Sequence, residues 1–261
     1  MLEGRDVTAN VSLLFGERPY LERFAAARDA GFNTVETWWP FAAPVPGEKD
    51  LAALLTAIER AGGRLTGLNT YAGDMPGGER GLACLPDRRA ELEANLPVVL
   101  RIADATGCRR FNVLYGQPLP GDDHLATALD AYRTVSSALA SIAGMALVEP
   151  LAEGLNGSYP ILSQTDAVSF LDQLGVANAS LLFDTFHLTQ NGVDVVSAFG
   201  EVASRVGHVQ VADSPGRGEP GSGTIDWDAF TVALDIAAYE GAVAAEYKPT
   251  RRTEETLGWL R

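Results

Sequence analysis

The chain is short of several things, and each shortage removes a class of function. Among 261 residues there are two cysteines, Cys84 and Cys108. A disulfide framework is therefore excluded, and both are expected to stay thiols in a reducing cytoplasm. The three histidines, His124, His187 and His208, are too few for a His-rich multi-zinc centre. Basic residues are scarce, with 20 Lys plus Arg against 34 Asp plus Glu and a net charge of -14. A surface that acidic repels phosphate backbones and anionic lipid, so neither nucleic acid nor membrane is an expected partner. No uninterrupted apolar run reaches roughly 18 residues, so no bilayer-spanning helix is expected. The opening MLEGRDVTAN carries Glu3, Arg5 and Asp6 where a secretory signal would be apolar. These features together predict a cytoplasmic location.

The composition that remains is globular, with 46% hydrophobic and 21% charged residues. Eight β-rich runs alternate with segments of helical spacing. The runs lie at 7–14, 34–39, 64–70, 110–115, 145–150, 180–185, 208–213 and 242–247. Helical periodicity is clearest at 19–30, with Leu21, Phe24, Ala25 and Arg28 in register, and at 50–61, with Leu51, Leu54, Leu55 and Ile58. The segments at 86–105 and 122–143 are the longest helical candidates. One strand and one helix about every 33 residues predicts an α/β fold, a (β/α)8 TIM barrel, as a single domain over 1–261. A doubly wound open sheet is the alternative, weakened by the lack of G-x-G-x-x-G after the first strand. Two long glycine-rich stretches, 72–81 and 214–223, predict functional loops.

In such a barrel the chemistry sits at the C-terminal ends of the strands. Four successive runs of the second half end in, or carry, an oxygen-bearing side chain: Glu149, Asp184, Gln210 and Glu246. Their separations of 35, 26 and 36 residues are each close to one βα repeat. Three carboxylates converging over apolar strands would repel one another and suffer desolvation. A divalent metal, Mg2+ or Mn2+, resolves that conflict, because hard cations take oxygen ligands. His187, three residues after Asp184, is expected to face substrate, whereas His124 is expected to be structural and His208 to be core or supporting. Glu36 ends the second strand and is a candidate substrate contact, or a support for the groups that make one, with the aromatic Trp38, Trp39 and Phe41 after it. Asn69, Tyr71, Asn112 and Tyr115 are candidate polar contacts on the third and fourth strands. An anionic substrate would need cations, which Arg217 and Arg80 in the two glycine-rich loops could supply. Lys248 is a weaker candidate.

The stretches ANVSLLF, PYLERFAAARDAGFNTVE, LNTYAGDMPGGERGLACLP, VEPL (148–151), FDTFH (183–187), HVQVADSPGRGEPGSGTIDW and AAEYKP (244–249) resemble the hydroxypyruvate isomerase family of the xylose isomerase-like barrels. The resemblance runs over nearly the whole chain. It implies one divalent metal held by Glu149, Asp184, Gln210 and Glu246, an acid–base pair in Glu149 and Glu246, and substrate contacts from His187 and Arg217. Gln210 stands where many relatives have His, and Tyr71 where a Pro is common. The implied reaction interconverts a small α-hydroxy-keto acid and its aldehyde isomer, hydroxypyruvate and tartronate semialdehyde, through an ene-diolate. A ketose 3-epimerase and a 2-oxo-tetronate isomerase would use the same groups on other substrates. A dehydratase on a cyclic polyol ketone is more distant, and a non-catalytic sugar-acid binding barrel is the rival outside enzymology. A homodimer is the assembly barrels of this type often form.

Overall fold

The computed structural model describes residues 2, 4–62, 64–119, 121 and 123–260. Glu3 and Asp122, which the sequence reading used, lie outside them. The strands are β1 (Val7–Asn10), β2 (Thr34–Thr37), β3 (Arg64–Asn69), β4 (Arg110–Asn112), β5 (Met145–Val148), β6 (Ala179–Asp184), β7 (Val206–Val211) and β8 (Val243–Ala245). Each runs parallel to the next, and β8 returns to β1 with Val7 opposite Val243 and Ala9 opposite Ala245. The sheet is thus closed, as the repeat spacing predicted. Most strands stop short of their β-rich runs. In the first, the amides of Leu13 and Leu14 turn back onto the Asn10 carbonyl, so the chain leaves the ladder there rather than at residue 14.

The helices are α1 (Arg23–Asp29), α2 (Glu48–Arg60), α3 (Arg89–Thr106), α4 (His124–Ala140), α5 (Gln164–Leu174), α6 (Thr185–Gln190), α7 (Val195–Val202) and α8 (Trp227–Ile236). In α2 the expected stripe is buried at Leu51, Leu54 and Ile58 and half-buried at Leu55. In α1 only Phe24 of the expected stripe is buried. Leu21, Ala25 and Arg28 are exposed, while Phe24, Ala26 and Ala27 are buried. The chain enters α1 through a 3-10 turn at Tyr20–Glu22, and three residues per turn instead of 3.6 shifts the buried face. Among the described residues no helix is long and apolar enough to cross a membrane.

Alternation along the strands sorts side chains between two cores. On β6, Phe183 packs against Phe199 of α7 and Phe230 of α8, with ring centroids 5.3 and 6.2 Å away. Its neighbours Leu182 and Asp184 therefore point into the barrel. The same alternation turns His208 and Gln210 of β7 inward. The barrel interior is unusually polar. At its lower end the hydroxyls of Thr8, Thr34 and Thr66 meet at 2.8 and 3.2 Å. Glu36 projects above them, and β3 makes room for it. A Cβ on Gly67 would stand 2.9 Å from Glu36 Oε2, at the place where the β2–β3 register slips by one residue.

Candidate active site

Three buried carboxylates meet at the upper mouth of the barrel. Glu149 leaves the end of β5, and its Oε2 accepts a 2.6 Å hydrogen bond from Asn112 Nδ2 on β4. Asp184 ends β6 and caps α6, its Oδ1 accepting from the amides of Phe186 and His187 at 2.7 and 3.1 Å. That fixes the carboxylate and leaves Oδ2 buried without a hydrogen-bond partner among the described residues. Glu246 follows β8. Its Oε2 accepts from Asn10 Nδ2 at 2.8 Å and from Gln210 Nε2, and its Oε1 is paired with Arg217. Burial raises the pKa of all three. Asp184 adds to the rise at Glu149, which is pushed up to about 8, and Glu246 is raised well above the carboxylate range. Arg217 opposes these shifts without cancelling them. The site is therefore short of positive charge.

Beneath these groups a second network sets their orientation. Glu36 Oε1 accepts from Asn10 Nδ2 and from Gln210 Nε2, both at 2.9 Å, and Oε2 lies 2.5 Å from His208 Nε2. Burial alone would raise the pKa of Glu36, but His208, Gln210 and Asn10 together bring it below the usual value. Two carboxylates on one amide nitrogen leave Gln210 only one orientation. Its Oε1 is then buried with no hydrogen-bond partner among the described residues.

Glu149, Asp184 and His187 present potential ligand atoms within 4.8 Å of one another, close enough to share an ion. His187 Nδ1, however, accepts the 3.0 Å bond of the Ala152 amide. Burial, with Arg217 and Arg80, holds its pKa well below normal, so the ring is neutral. A neutral imidazole whose Nδ1 is an acceptor carries its proton on Nε2. That N–H points toward Glu149 Oε1 and Asp184 Oδ2, at 4.0 and 3.9 Å. The imidazole is thus a donor in this arrangement. The unpartnered oxygens of Asp184 and Gln210, with the carboxylate of Glu149, are the atoms that suit a hard cation.

The mouth opens into a cavity of about 880 Å³, lined among others by Trp38, Trp39, Phe41, Asn69, Tyr71, Arg80, Glu149, His187, Arg217 and Glu246. The xylose isomerase-like TIM barrel family model matches residues 24–261. The chain belongs to that family. It is 40% identical over 261 residues to a Streptomyces coelicolor protein provisionally named a hydroxypyruvate isomerase, covering 96% of this chain and 94% of that one. It is 31% identical to the hydroxypyruvate isomerase of Escherichia coli, with 97% of each chain covered. It is equally similar, at 31%, to a 2-oxo-tetronate isomerase of Pectobacterium atrosepticum, over 96% of this chain and 95% of that one. A crystal structure titled AP endonuclease, family 2, from Brucella melitensis superposes with a TM-score of 0.89 at 29% identity, covering 97% of this chain and 96% of that one.

Within this family fold, the strand-end residues Glu149, Asp184, Gln210 and Glu246 come together as their spacing required. Glu246 is the most encumbered of them, with three donors on its two oxygens. His187, Asn69, Arg80 and Arg217 line the cavity. Glu36 does not; its carboxylate is engaged by Asn10, His208 and Gln210 beneath the cavity. Arg217 is also already engaged. Its Nη2 is paired with Glu246 and lies 3.6 Å from Asp184 Oδ2, while its guanidinium covers the Phe186 ring at 5.3 Å. Tyr115 and His124 are structural, joined by a 2.8 Å bond away from the cavity. Lys248 is exposed. Two asparagines went unnoticed in the sequence. Asn10 joins Glu36 to Glu246, and inside the 7–14 run nothing marked it. Asn156, in the loop after β5, carried no signal either.

Proposed function

We propose that the protein is an isomerase of small α-hydroxy-keto acids, interconverting hydroxypyruvate and tartronate semialdehyde. The observation that carries this is the pairing of Glu149 and Glu246. They are two buried carboxylates of raised pKa on the same cavity, each anchored by an amide donor and flanked by a neutral histidine and two guanidinium groups. Glu149, Asp184, Gln210 and Glu246 would hold a divalent cation, Mg2+ or Mn2+; the unpartnered oxygens of Asp184 and Gln210 suit one, whereas Glu246 would exchange one of its three donors for it. When bound, such an ion acts as a Lewis acid on the substrate's carbonyl and hydroxyl oxygens.

The chain's own residues do the rest. Isomerisation moves one proton from C3 to C2 and one from the C3 hydroxyl to the C2 oxygen. A carboxylate whose pKa lies near neutrality both accepts and returns a carbon-bound proton efficiently. Burial raises Glu149 toward that range in the ion-free protein, and Glu246 lines the same cavity. The Nε2–H of His187 donates to a substrate oxygen as charge develops on it. Arg217 holds Glu246 in place, and Asn112 does the same for Glu149. The test is incubation of the Mn2+-supplied protein with hydroxypyruvate in deuterated water. Deuterium entering at the carbon next to the carbonyl, with aldehyde formation, is the expected result. Recovery of unlabelled substrate would refute the reading.

One observation favours a second reading. The cavity is larger than a three-carbon acid needs, and Trp38, Trp39, Phe41 and Tyr71 wall its outer part. A four-carbon 2-oxo-tetronate, or a ketose undergoing 3-epimerisation, would fill more of it. A panel of three- to six-carbon keto acids and ketoses in the same exchange assay separates these.

A further inference from the structure

Building on that reading, we propose that Arg80, not Arg217, is the anchor for the substrate carboxylate, and that Asn156 sets its aim. A guanidinium has five N–H donors. In Arg80, Nε donates to Asn156 Oδ1 at 2.9 Å, and Nη1 donates to the carbonyls of Met75 and Glu79 at 2.9 and 2.7 Å. The two donors of Nη2 remain, with no protein partner among the described residues. Among those residues no carboxylate lies within ion-pair distance of Arg80 either. Its neighbour Glu79 is taken by Arg88 and by the Asp74 amide. Arg80 is nonetheless half-buried on the wall of the cavity.

A half-buried cation with both N–H donors of Nη2 free and no counter-charge suits a carboxylate, one of whose oxygens Nη2 can bind. Arg217 is in the opposite condition, since Glu246 and Asp184 already share its charge. Burial, and then the Arg217 guanidinium, lower the pKa of Arg80, which places both cations in one field. An anion between them would relieve that repulsion. The aim is rigid. Asn156 is buried, its Nδ2 donates to Ala152 O at 3.0 Å, and Gln117 Nε2 bridges Gly78 O and Asn156 O at 3.2 and 3.0 Å. This strut ties the 72–81 loop to the loop after β5.

The experiment is calorimetric binding to the Mn2+-supplied protein of a matched pair, hydroxypyruvate and dihydroxyacetone, which differ by carboxylate against hydroxymethyl. Arg80→Met should weaken hydroxypyruvate about tenfold to a hundredfold, as expected for a charged hydrogen-bonded pair, and leave dihydroxyacetone unchanged. Asn156→Asp keeps Arg80 but gives it an internal carboxylate, so it should lower the same preference even where the methionine variant folds poorly. Arg217→Met should weaken both ligands alike. Equal losses on both ligands in Arg80→Met, or a preference erased by Arg217→Met alone, would overturn the assignment. So would a parent protein without preference for the acid. A parent that prefers the acid yet exchanges no deuterium would sink the isomerase reading and leave Arg80 as the anion anchor.

Discussion

An amide held between two carboxylates can offer only its oxygen to a third direction, and a carboxylate spent on capping a helix can offer only its second oxygen. Those two constraints, at Gln210 and Asp184, are why the site reads as a cation centre from its geometry. The four strand-end residues were legible in the sequence because a parallel barrel repeats, so one oxygen-bearing residue per repeat lands on one rim. Asn10 and Asn156 were not legible, because asparagine serves turns, caps and strand ends alike and only tertiary neighbours tell them apart. Glu36 was visible, but a strand-end position does not reveal how deep a side chain reaches, so its two readings could not be told apart. Two outcomes follow at this scale. Glu246→Gln removes a proton acceptor while keeping the shape, so deuterium exchange should fall by about two to four orders of magnitude, with the fold retained by circular dichroism. Exchange near the parental rate would clear Glu246 of the acid–base role. Glu36→Ala strips His208 and Gln210 of their acceptor inside the barrel. Leaving a buried donor without its acceptor costs about 1–3 kcal/mol, which a denaturant melt will read; a loss well under 1 kcal/mol would mean that the network is not coupled to the fold.

At the scale of elements, the eight strands and four of the helices were readable from periodicity, but their limits were not. Strand ends depend on where a loop finds other hydrogen-bond partners, as at Asn10, and the face of α1 depends on a 3-10 entry that propensity does not announce. The loop after β7 shows what holds such an element. Asp213 is buried and accepts from the amides of Ser214, Gly221 and Ile225 and from the Trp227 indole, at 2.8, 2.8, 3.2 and 2.8 Å. One carboxylate thus gathers both ends of the segment that carries Arg217. Burial alone would raise its pKa, yet these donors bring it below the usual value. Its contribution is therefore present above the unfolded value, about 3.9, and is lost as pH falls through the lower folded value. Asp213→Asn should cost about 1–3 kcal/mol at neutral pH and speed proteolysis within 214–226. The gap to the parent should close in acid. A gap that stays constant down to pH 2 would show that the charge of Asp213 is not what orders the loop.

For the whole molecule, the distinctive property is a barrel whose interior is polar from the threonines at its base to the carboxylates at its mouth, in a chain of net charge -14. Acid on acid is costly, and its pH signature has a definite sign. Burial, helped by neighbouring carboxylates and opposed by Arg217, keeps protons on Glu149, Asp184 and Glu246 in the native state at pH values where the unfolded chain has released them. The native state thus binds more protons, so stability without added ion should decline as pH rises from about 4.5 toward the value of about 8 at Glu149. A divalent cation removes the same penalty by taking the place of those protons, and a ligand that binds only the native state raises its stability by mass action. The gain in melting temperature from Mn2+ should therefore be larger at pH 8 than at pH 6, and EDTA should reverse it at both. The pH dependence is the discriminating part, because an ion held on exposed acids would already meet ionised ligands at pH 6 and give equal shifts. Equal shifts, or none, would mean that the carboxylates at the mouth bind their protons for some purpose other than yielding them to a metal.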